Sequence, residues 1–188
     1  MGCIYGKREH LARLRPYKVR PAPDTVPERW ETGTLVHEGL AGVIAAIEYL
    51  ADLGRHFAAV PIATRRDALV GAYRAIRPYE TALAARMISG LVEIPGLRFY
   101  GISDPARFSE RVPTVGVRLA RHTPLEAATF LGDRGIFTWD GNYYAVNLTE
   151  RLGVEKDGGL LRIGLVHYNT AEEVDRLLNA LRELVASA

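Results

Sequence analysis

The sequence predicts an α+β fold: a small antiparallel or mixed sheet with helices packed on one face, preceded by long helices. From residue 97 onward, apolar patterns and turn signals give the order strand, strand, helix, strand, turn-rich segment, strand and helix. Helical segments with apolar faces precede that stretch, between residues 38 and 91. An apolar run over residues 160–166, interrupted by the single charge of Arg162, predicts a buried strand that is followed by a turn and a closing amphipathic helix.

The N-terminal segment contains short elements and many prolines. Residues 1–5 form an apolar run that resembles a strand already begun, so we expect that sequence upstream is missing. Residues 7–14 can form a short helix. Prolines then favour an extended connector up to Trp30, because proline fixes φ and restricts the residue before it.

Long helical segments follow the connector. Residues 38–52 place apolar side chains on one face, and Gly54 ends that helix. The next helix is capped by Thr64. Pro78 lacks a backbone N–H, so we expect it to break or kink this helix before a third segment resumes and ends at Pro95-Gly96.

The sheet is predicted from the following stretch. Residues 97–100 and 114–119 are expected to pair antiparallel, and a helix is expected to begin at Thr123-Pro124 and to run to about Arg134. Residues 136–139 are typical of a short strand, and residues 140–142 of a turn.

The closing helix has clear signals at its start. Asn169 or Thr170 can cap it, and Glu172 and Glu173 in the first turn complement the helix dipole. Apolar residues then recur at helical spacing and form one stripe: Val174, Leu177, Leu178, Leu181, Leu184 and Val185.

Composition indicates a globular chain of one substantial domain, or one domain with part of another. It has 188 residues, of which 48% are hydrophobic and 24% charged, and a net charge of +2 without the basic stripe of a nucleic-acid binder. The single cysteine, Cys3, excludes an internal disulfide framework. With no signal peptide and no membrane-spanning run, we expect a soluble cytoplasmic protein that binds neither nucleic acid nor membrane.

Few residues stand out as chemical groups. The five histidines are scattered and Cys3 has no partner at ligand spacing, so no metal site is predicted. Gly33-Thr34 offers a backbone amide and a hydroxyl that could contact a phosphate, but a dipeptide alone is weak evidence, and the pair is more typical of a turn that enters a helix. Arg162 is either a surface or salt-bridged residue on an edge strand, or a planar fork that binds a ligand carboxylate. Spacing alone leaves both interpretations open.

Three stretches carry a resemblance to a known family. Residues 1–7 are Met-Gly-Cys-Ile-Tyr-Gly-Lys, residues 29–34 are Arg-Trp-Glu-Thr-Gly-Thr, and residues 162–175 combine Arg-Ile-Gly-Leu with His-Tyr-Asn-Thr-Ala-Glu-Glu-Val-Asp. In these motifs the chain resembles the C-terminal part of a class V, fold-type I pyridoxal-phosphate-dependent aminotransferase or cysteine desulfurase-like protein. The resemblance covers nearly the whole chain.

The resemblance implies roles for particular residues. Arg162 would bind the substrate carboxylate, with Trp139 and Tyr144 beside the substrate, and Gly33 and Thr34 would contact the phosphate of pyridoxal 5'-phosphate in the neighbouring subunit of a homodimer. Tyr144 stands where related desulfurases carry a persulfide-forming cysteine, and a phenol cannot accept sulfur as a thiolate does.

The resemblance also implies a domain division. Residues 1–35 would be a remnant of the large cofactor domain with its proline-rich connector, and residues 36–188 the small domain with its connecting helices. The Schiff-base lysine of the family would lie upstream of Met1, so we expect that this chain alone is inactive and does not hold the cofactor covalently. The alternatives are a non-catalytic dimerisation domain and a small regulatory α+β domain that binds amino acids.

Overall fold

The computed structural model describes residues 2–31, 33–59 and 61–187, and it has the predicted α+β architecture. The chain forms two compact units, Met1–Ala72 and Tyr73–Ala188. The functional boundary expected between residues 35 and 36 stays a prediction. None of the helices in the described part of the chain is long and apolar enough to cross a membrane.

The first unit begins with an exposed segment and a short helix, α1 (Arg8–Arg13). The strand expected at residues 1–5 is wrong for the part that is described, because residues 2–5 pair with no other strand and are exposed. After the proline-rich connector comes a single 3-10 turn, Glu28–Trp30. The Trp30 indole donates to the Leu11 carbonyl at 3.0 Å, which ties this turn back to α1.

Helix α2 (His37–His56) continues four residues beyond its predicted end. It does not stop at Gly54, because that glycine is where α2 meets the start of α3 (Arg65–Val92). A Cβ at Gly54 would lie only 1.8 Å from the Ala68 carbonyl oxygen, so the helices contact each other backbone to backbone. Of the predicted apolar face, Ile44 stays 62% exposed.

Substitution of Gly42 by alanine is expected to stabilise the protein by about 0.5–1 kcal/mol, because glycine is a poor residue in a helix interior. Gly42 lies in α2, and a Cβ there meets no atom within 4 Å. Urea denaturation of the variant checks this. Gly54→Ala in the same helix is the control, and it should lower the free energy of unfolding because its Cβ would clash with the Ala68 carbonyl oxygen. Destabilisation by both substitutions would contradict the packing described for α2.

Helix α3 is continuous from Arg65 to Val92, so the break expected at Pro78 is wrong. An interior proline costs roughly 3 kcal/mol. Burial of a single large apolar side chain contributes about 1.5–3 kcal/mol, and Leu83, Met87 and Leu91 beyond the proline are all buried. Packing of this second half therefore outweighs the lost hydrogen bond.

The second unit contains a four-stranded antiparallel sheet with the order β1-β2-β4-β3. The strands are β1 (Leu97–Tyr100), β2 (Thr114–Leu119), β3 (Trp139–Gly141) and β4 (Leu160–Gly164). The predicted pairing of the first two strands is confirmed, with Leu97 opposite Leu119.

Strand β3 lies later in the chain than predicted. Helix α4 (Pro124–Gly132) ends in a Schellman arrangement, with Gly135 at φ +68° and the Ile136 N–H donating to the Leu131 carbonyl at 2.9 Å. Residue 136 therefore belongs to the helix end. The expected turn at 140–142 is correspondingly wrong for residues 140 and 141, which pair with β4.

The remaining helices are α5 (Val146–Arg151) and α6 (Ala171–Ala186). The predicted cap of α6 is confirmed: Thr170 and Glu173 form a reciprocal capping box. One face of the sheet packs against α3, α4 and α6 in a single core, which includes Met87, Ile88, Leu131, Val117, Leu161 and Leu181. The opposite face of the sheet is where polar and aromatic side chains gather.

Candidate functional site

The candidate site lies on the open face of the sheet. Side chains alternate between the two faces of a strand, and residues opposite each other on paired strands share a face. Trp139 of β3 is opposite Arg162 of β4, and Gly116 of β2 is opposite Arg162 on its other side. The structure thus brings together two of the residues singled out from the sequence.

Arg162 differs in two ways from the sequence-based expectation. The residue is exposed rather than buried, because its side chain lies on the face of the sheet opposite to that of the buried Leu161 and Ile163. Its strand lies between β2 and β3, so it is not on an edge. Within the described residues no carboxylate comes within 4 Å of its guanidinium, whose central carbon lies 5.7 Å from the ring centre of Tyr143.

Two further arginines share this face but are placed differently. Arg98 and Arg118 are opposite each other on β1 and β2. Arg118 donates to the backbone carbonyls of Asp157 and Gly159, at 3.2 and 2.6 Å, so its guanidinium is already hydrogen-bonded within the protein. Arg98 lies on the edge strand with its guanidinium carbon 5.1 Å from the Tyr100 ring centre. Arg162 is therefore the central arginine that keeps donors available for a ligand.

The loop after β3 presents two tyrosines in an unusual backbone conformation. Tyr143 has φ +55° and Tyr144 has φ +62°, in the left-handed region that non-glycine residues rarely adopt. The Tyr144 side chain is fully exposed. The loop thus projects the phenol of Tyr144 into solvent and turns Tyr143 back toward β4.

A hydrogen-bond network holds this loop. The Asn142 side chain accepts from the Tyr144 N–H at 3.0 Å and donates to the Glu155 carboxylate at 2.9 Å. The buried Thr149 hydroxyl also donates to Glu155. The hydrogen bond from Thr149, and then that from Asn142, lowers the pKa of Glu155 below its ordinary value. A charged Glu155 therefore anchors the loop at neutral pH.

Tyr143 and this network were missed in the sequence. The only signal was an aromatic pair after a Gly-Asn turn, which gives no indication that one ring lies against Arg162 and the other faces solvent. Burial is the main cause that raises the pKa of the Tyr143 phenol, so the phenol stays protonated and able to donate.

Gly33 and Thr34 belong to the first unit. Both are exposed, Gly33 has φ +78°, and a Cβ at residue 33 would meet no atom within 4 Å. An exposed turn with a hydroxyl and backbone amides fits the chemistry of a phosphate ligand. Thr32 of the same motif lies outside the described residues.

Much of the C-terminal motif has a structural role. The Tyr79 hydroxyl of α3 donates to the Asn169 carbonyl at 2.7 Å, and the Asn169 side chain accepts from the Val166 N–H at 2.8 Å. Arg86 grips Asp175 through two hydrogen bonds of 2.7 and 2.6 Å, which lowers the pKa of the Asp175 carboxyl. These contacts fix the start of α6 against α3, whereas the Arg162 side chain lies on the open face of the sheet.

A pocket of about 270 Å³ lies on the other side of the sheet, between α3, α6 and β4. The Thr138 hydroxyl is buried there without a partner in the described structure, and the Arg176 guanidinium at its rim already donates to the Gly135 carbonyl at 2.9 Å. Neither Arg162 nor Trp139 lines it, so we assign it no part in the site. Across the described ranges no cluster of residues could hold a metal ion.

Comparison with known proteins gives a consistent result. The model of the family described as "Aminotransferase class-V" matches residues 1–177. A cysteine desulfurase of Pectobacterium carotovorum is 29% identical over 196 residues, which cover 98% of this chain and 42% of that protein. A probable cysteine desulfurase of Mycolicibacterium paratuberculosis is 27% identical over 98% of this chain and 25% of its own length.

Solved structures are similar to the same extent. The cysteine desulfurase CsdA of Escherichia coli, in its S-sulfonic acid form, superposes with a TM-score of 0.70 and 25% identity over 97% of this chain and 42% of that chain. The apo cysteine desulfurase of Thermococcus onnurineus gives a TM-score of 0.66 and 27% identity over 86% and 34%. The chain thus spans less than half the length of these relatives.

Proposed function

This chain belongs to the class V aminotransferase family, and we propose that it is the C-terminal part of a pyridoxal-phosphate-dependent enzyme that acts on an amino acid. In this proposal Arg162 binds the carboxylate of the substrate. Family membership supports the substrate class, and the open face of the sheet supports the choice of residue.

The observation that carries the proposal is the state of the Arg162 side chain. It is exposed on an interior strand, its guanidinium rests near an aromatic ring, and among the described residues no carboxylate pairs with it. A guanidinium presents parallel N–H groups that match the two oxygens of a carboxylate. An amino-acid carboxylate is the ligand that this geometry suits.

Neighbouring aromatic residues would shape the rest of the substrate site. Trp139 is opposite Arg162 in the sheet and is 69% exposed, and the fully exposed Tyr144 follows in the loop. We propose that both contact the substrate. Because Tyr144 is a phenol rather than a thiol, we expect no persulfide to form on this loop.

Gly33 and Thr34 are the proposed contribution of this chain to cofactor binding. Their exposed amide and hydroxyl donors would hold the phosphate of pyridoxal 5'-phosphate, in the neighbouring subunit of a homodimer. When bound, this cofactor supplies an electron sink for bonds at the substrate α-carbon. The residues of this chain orient the substrate, through the carboxylate on Arg162, and hold the cofactor phosphate.

Calorimetric titration of the 188-residue chain with matched ligands tests the proposal. L-cysteine and L-alanine should bind at least about tenfold more tightly than cysteamine and ethylamine, since hydrogen bonds to a charged group contribute about 1.5–3 kcal/mol. The amines keep the ammonium group and lack only the carboxylate. Equal affinity for the acids and the amines would contradict the proposed function.

A further inference from the structure

Tyr143 is the residue against which the Arg162 guanidinium lies. The central carbon of the guanidinium is 5.7 Å from the ring centre, within the range of a cation–π contact. A contact of this kind uses the charge of the guanidinium and none of its N–H donors. It can therefore orient the arginine without using the donors that a carboxylate needs.

The Tyr143 ring is itself fixed by its hydroxyl group. The phenol donates to the Leu160 carbonyl and lies 3.1 Å from the Trp139 carbonyl oxygen. Leu160 and Trp139 belong to the two strands that meet beside Arg162, two residues before Arg162 and directly opposite it. The hydroxyl thus fixes the position of the Tyr143 ring relative to the backbone of β3 and β4.

The backbone of the loop supports the same arrangement. Tyr143 adopts φ +55°, a conformation that costs about 1–2 kcal/mol for a residue with a Cβ. The bonds of Asn142 to Tyr144 and Glu155, described above, hold the chain immediately beside it. A bulky residue kept in this conformation by neighbouring hydrogen bonds indicates that the placement of its ring matters.

We propose that Tyr143 is a positioning residue, which holds the Arg162 guanidinium in the orientation that receives the substrate carboxylate. This inference rests on the proposed function of Arg162. Tyr143 acts through the arginine and need not touch the substrate, so its loss should reduce affinity for the acid and leave affinity for the matched amine unchanged.

Two substitutions separate the parts of this role. Tyr143→Asn removes the ring but keeps a residue that tolerates the left-handed conformation. Tyr143→Phe keeps the ring and removes the hydroxyl tether. Each variant is measured by titration with L-alanine and ethylamine, by thermal denaturation, and by the NMR shift of the Arg162 Nε–Hε proton, which reports the nearby ring.

Tyr143→Asn is expected to move the Arg162 Nε–Hε signal toward that of a free arginine and to weaken L-alanine binding about two- to fivefold. Its melting temperature should fall, because the ring is half-buried and its hydroxyl donates to the Leu160 carbonyl. Tyr143→Phe should produce a smaller change of the same sign in both readouts. If Tyr143→Asn does not fold, Tyr143→Phe decides: an unchanged Arg162 signal and unchanged affinity overturn the proposal.

The outcomes also separate this inference from the proposed function. Wild-type protein that does not distinguish L-alanine from ethylamine overturns the proposed function, and the positioning role falls with it. Wild-type protein that prefers the acid, with that preference reduced in Arg162→Lys but undiminished in a folded Tyr143→Asn, overturns the positioning role alone.

Discussion

Replacement of Gly159 by alanine is expected to lower the free energy of unfolding by about 2–5 kcal/mol. Gly159 adopts φ +74°, and a Cβ there would lie 2.2 Å from the Gly141 carbonyl oxygen and 2.4 Å from its carbon. Left-handed strain contributes roughly 1–2 kcal/mol and the overpacked contact roughly 1–3 kcal/mol. Since Gly141 ends β3, the substitution should also displace the strand that carries Trp139.

Gly153 provides the matched control for this prediction. It has φ +72°, nearly the same backbone conformation, but a Cβ there meets nothing within 4 Å. Gly153→Ala should therefore lose only the strain contribution, about 1–2 kcal/mol. Urea denaturation followed by circular dichroism compares the two variants. Equal destabilisation would contradict the close approach of the Gly159 and Gly141 backbones.

Arg162→Lys is expected to weaken binding of L-alanine by about 1–3 kcal/mol, which is about five- to 150-fold. Lysine retains the positive charge but loses the two-pronged geometry of the guanidinium. Arg98→Lys is the matched control, because Arg98 lies on the same face and also rests near a tyrosine ring. That variant should bind within about twofold of the wild type.

Calorimetry decides between the two interpretations of Arg162. If Arg162→Lys binds L-alanine as well as the wild type, and Arg162→Ala changes only thermal stability, Arg162 is a structural residue. Equal losses in the Arg98→Lys and Arg162→Lys variants would contradict a carboxylate site defined by Arg162.

The sequence predicted elements whose signals are local. The capping box of Thr170 and Glu173 and the apolar stripe of α6 depend on residues within a few turns of helix, and both are present. Pro78 shows where local reasoning fails. Its effect depends on how much apolar surface the following turns bury, and that is set by strands far away in the chain.

The error about the burial of Arg162 has a similar origin. Residues 160–166 are apolar in sequence apart from Arg162, yet β4 buries Leu160, Leu161 and Ile163 and leaves Arg162 and Gly164 exposed. Gly164 is read as apolar in a sequence pattern, but it has no side chain to bury and lies on the open face of the sheet. The alternation of a half-exposed strand was therefore hidden.

The composition of the site could be predicted only in part. The family resemblance identified Arg162 and Trp139, but their direct opposition follows from the register of β3 and β4, which are separated by helix α5. The role of Tyr143 depends on a hydroxyl that donates to the Leu160 carbonyl and lies 3.1 Å from the Trp139 carbonyl oxygen. Contacts of this kind leave no periodic signal in a sequence.

The most direct test of the central claim is an NMR titration that follows the arginine Nε–Hε signals of the chain as L-alanine is added. We predict a saturable shift of the Arg162 signal, no comparable shift at Arg98 or Arg118, and no response of Arg162 to ethylamine. A shift centred on another arginine, or an Arg162 signal that responds equally to the amine, would contradict the assignment of Arg162 as the carboxylate-binding residue.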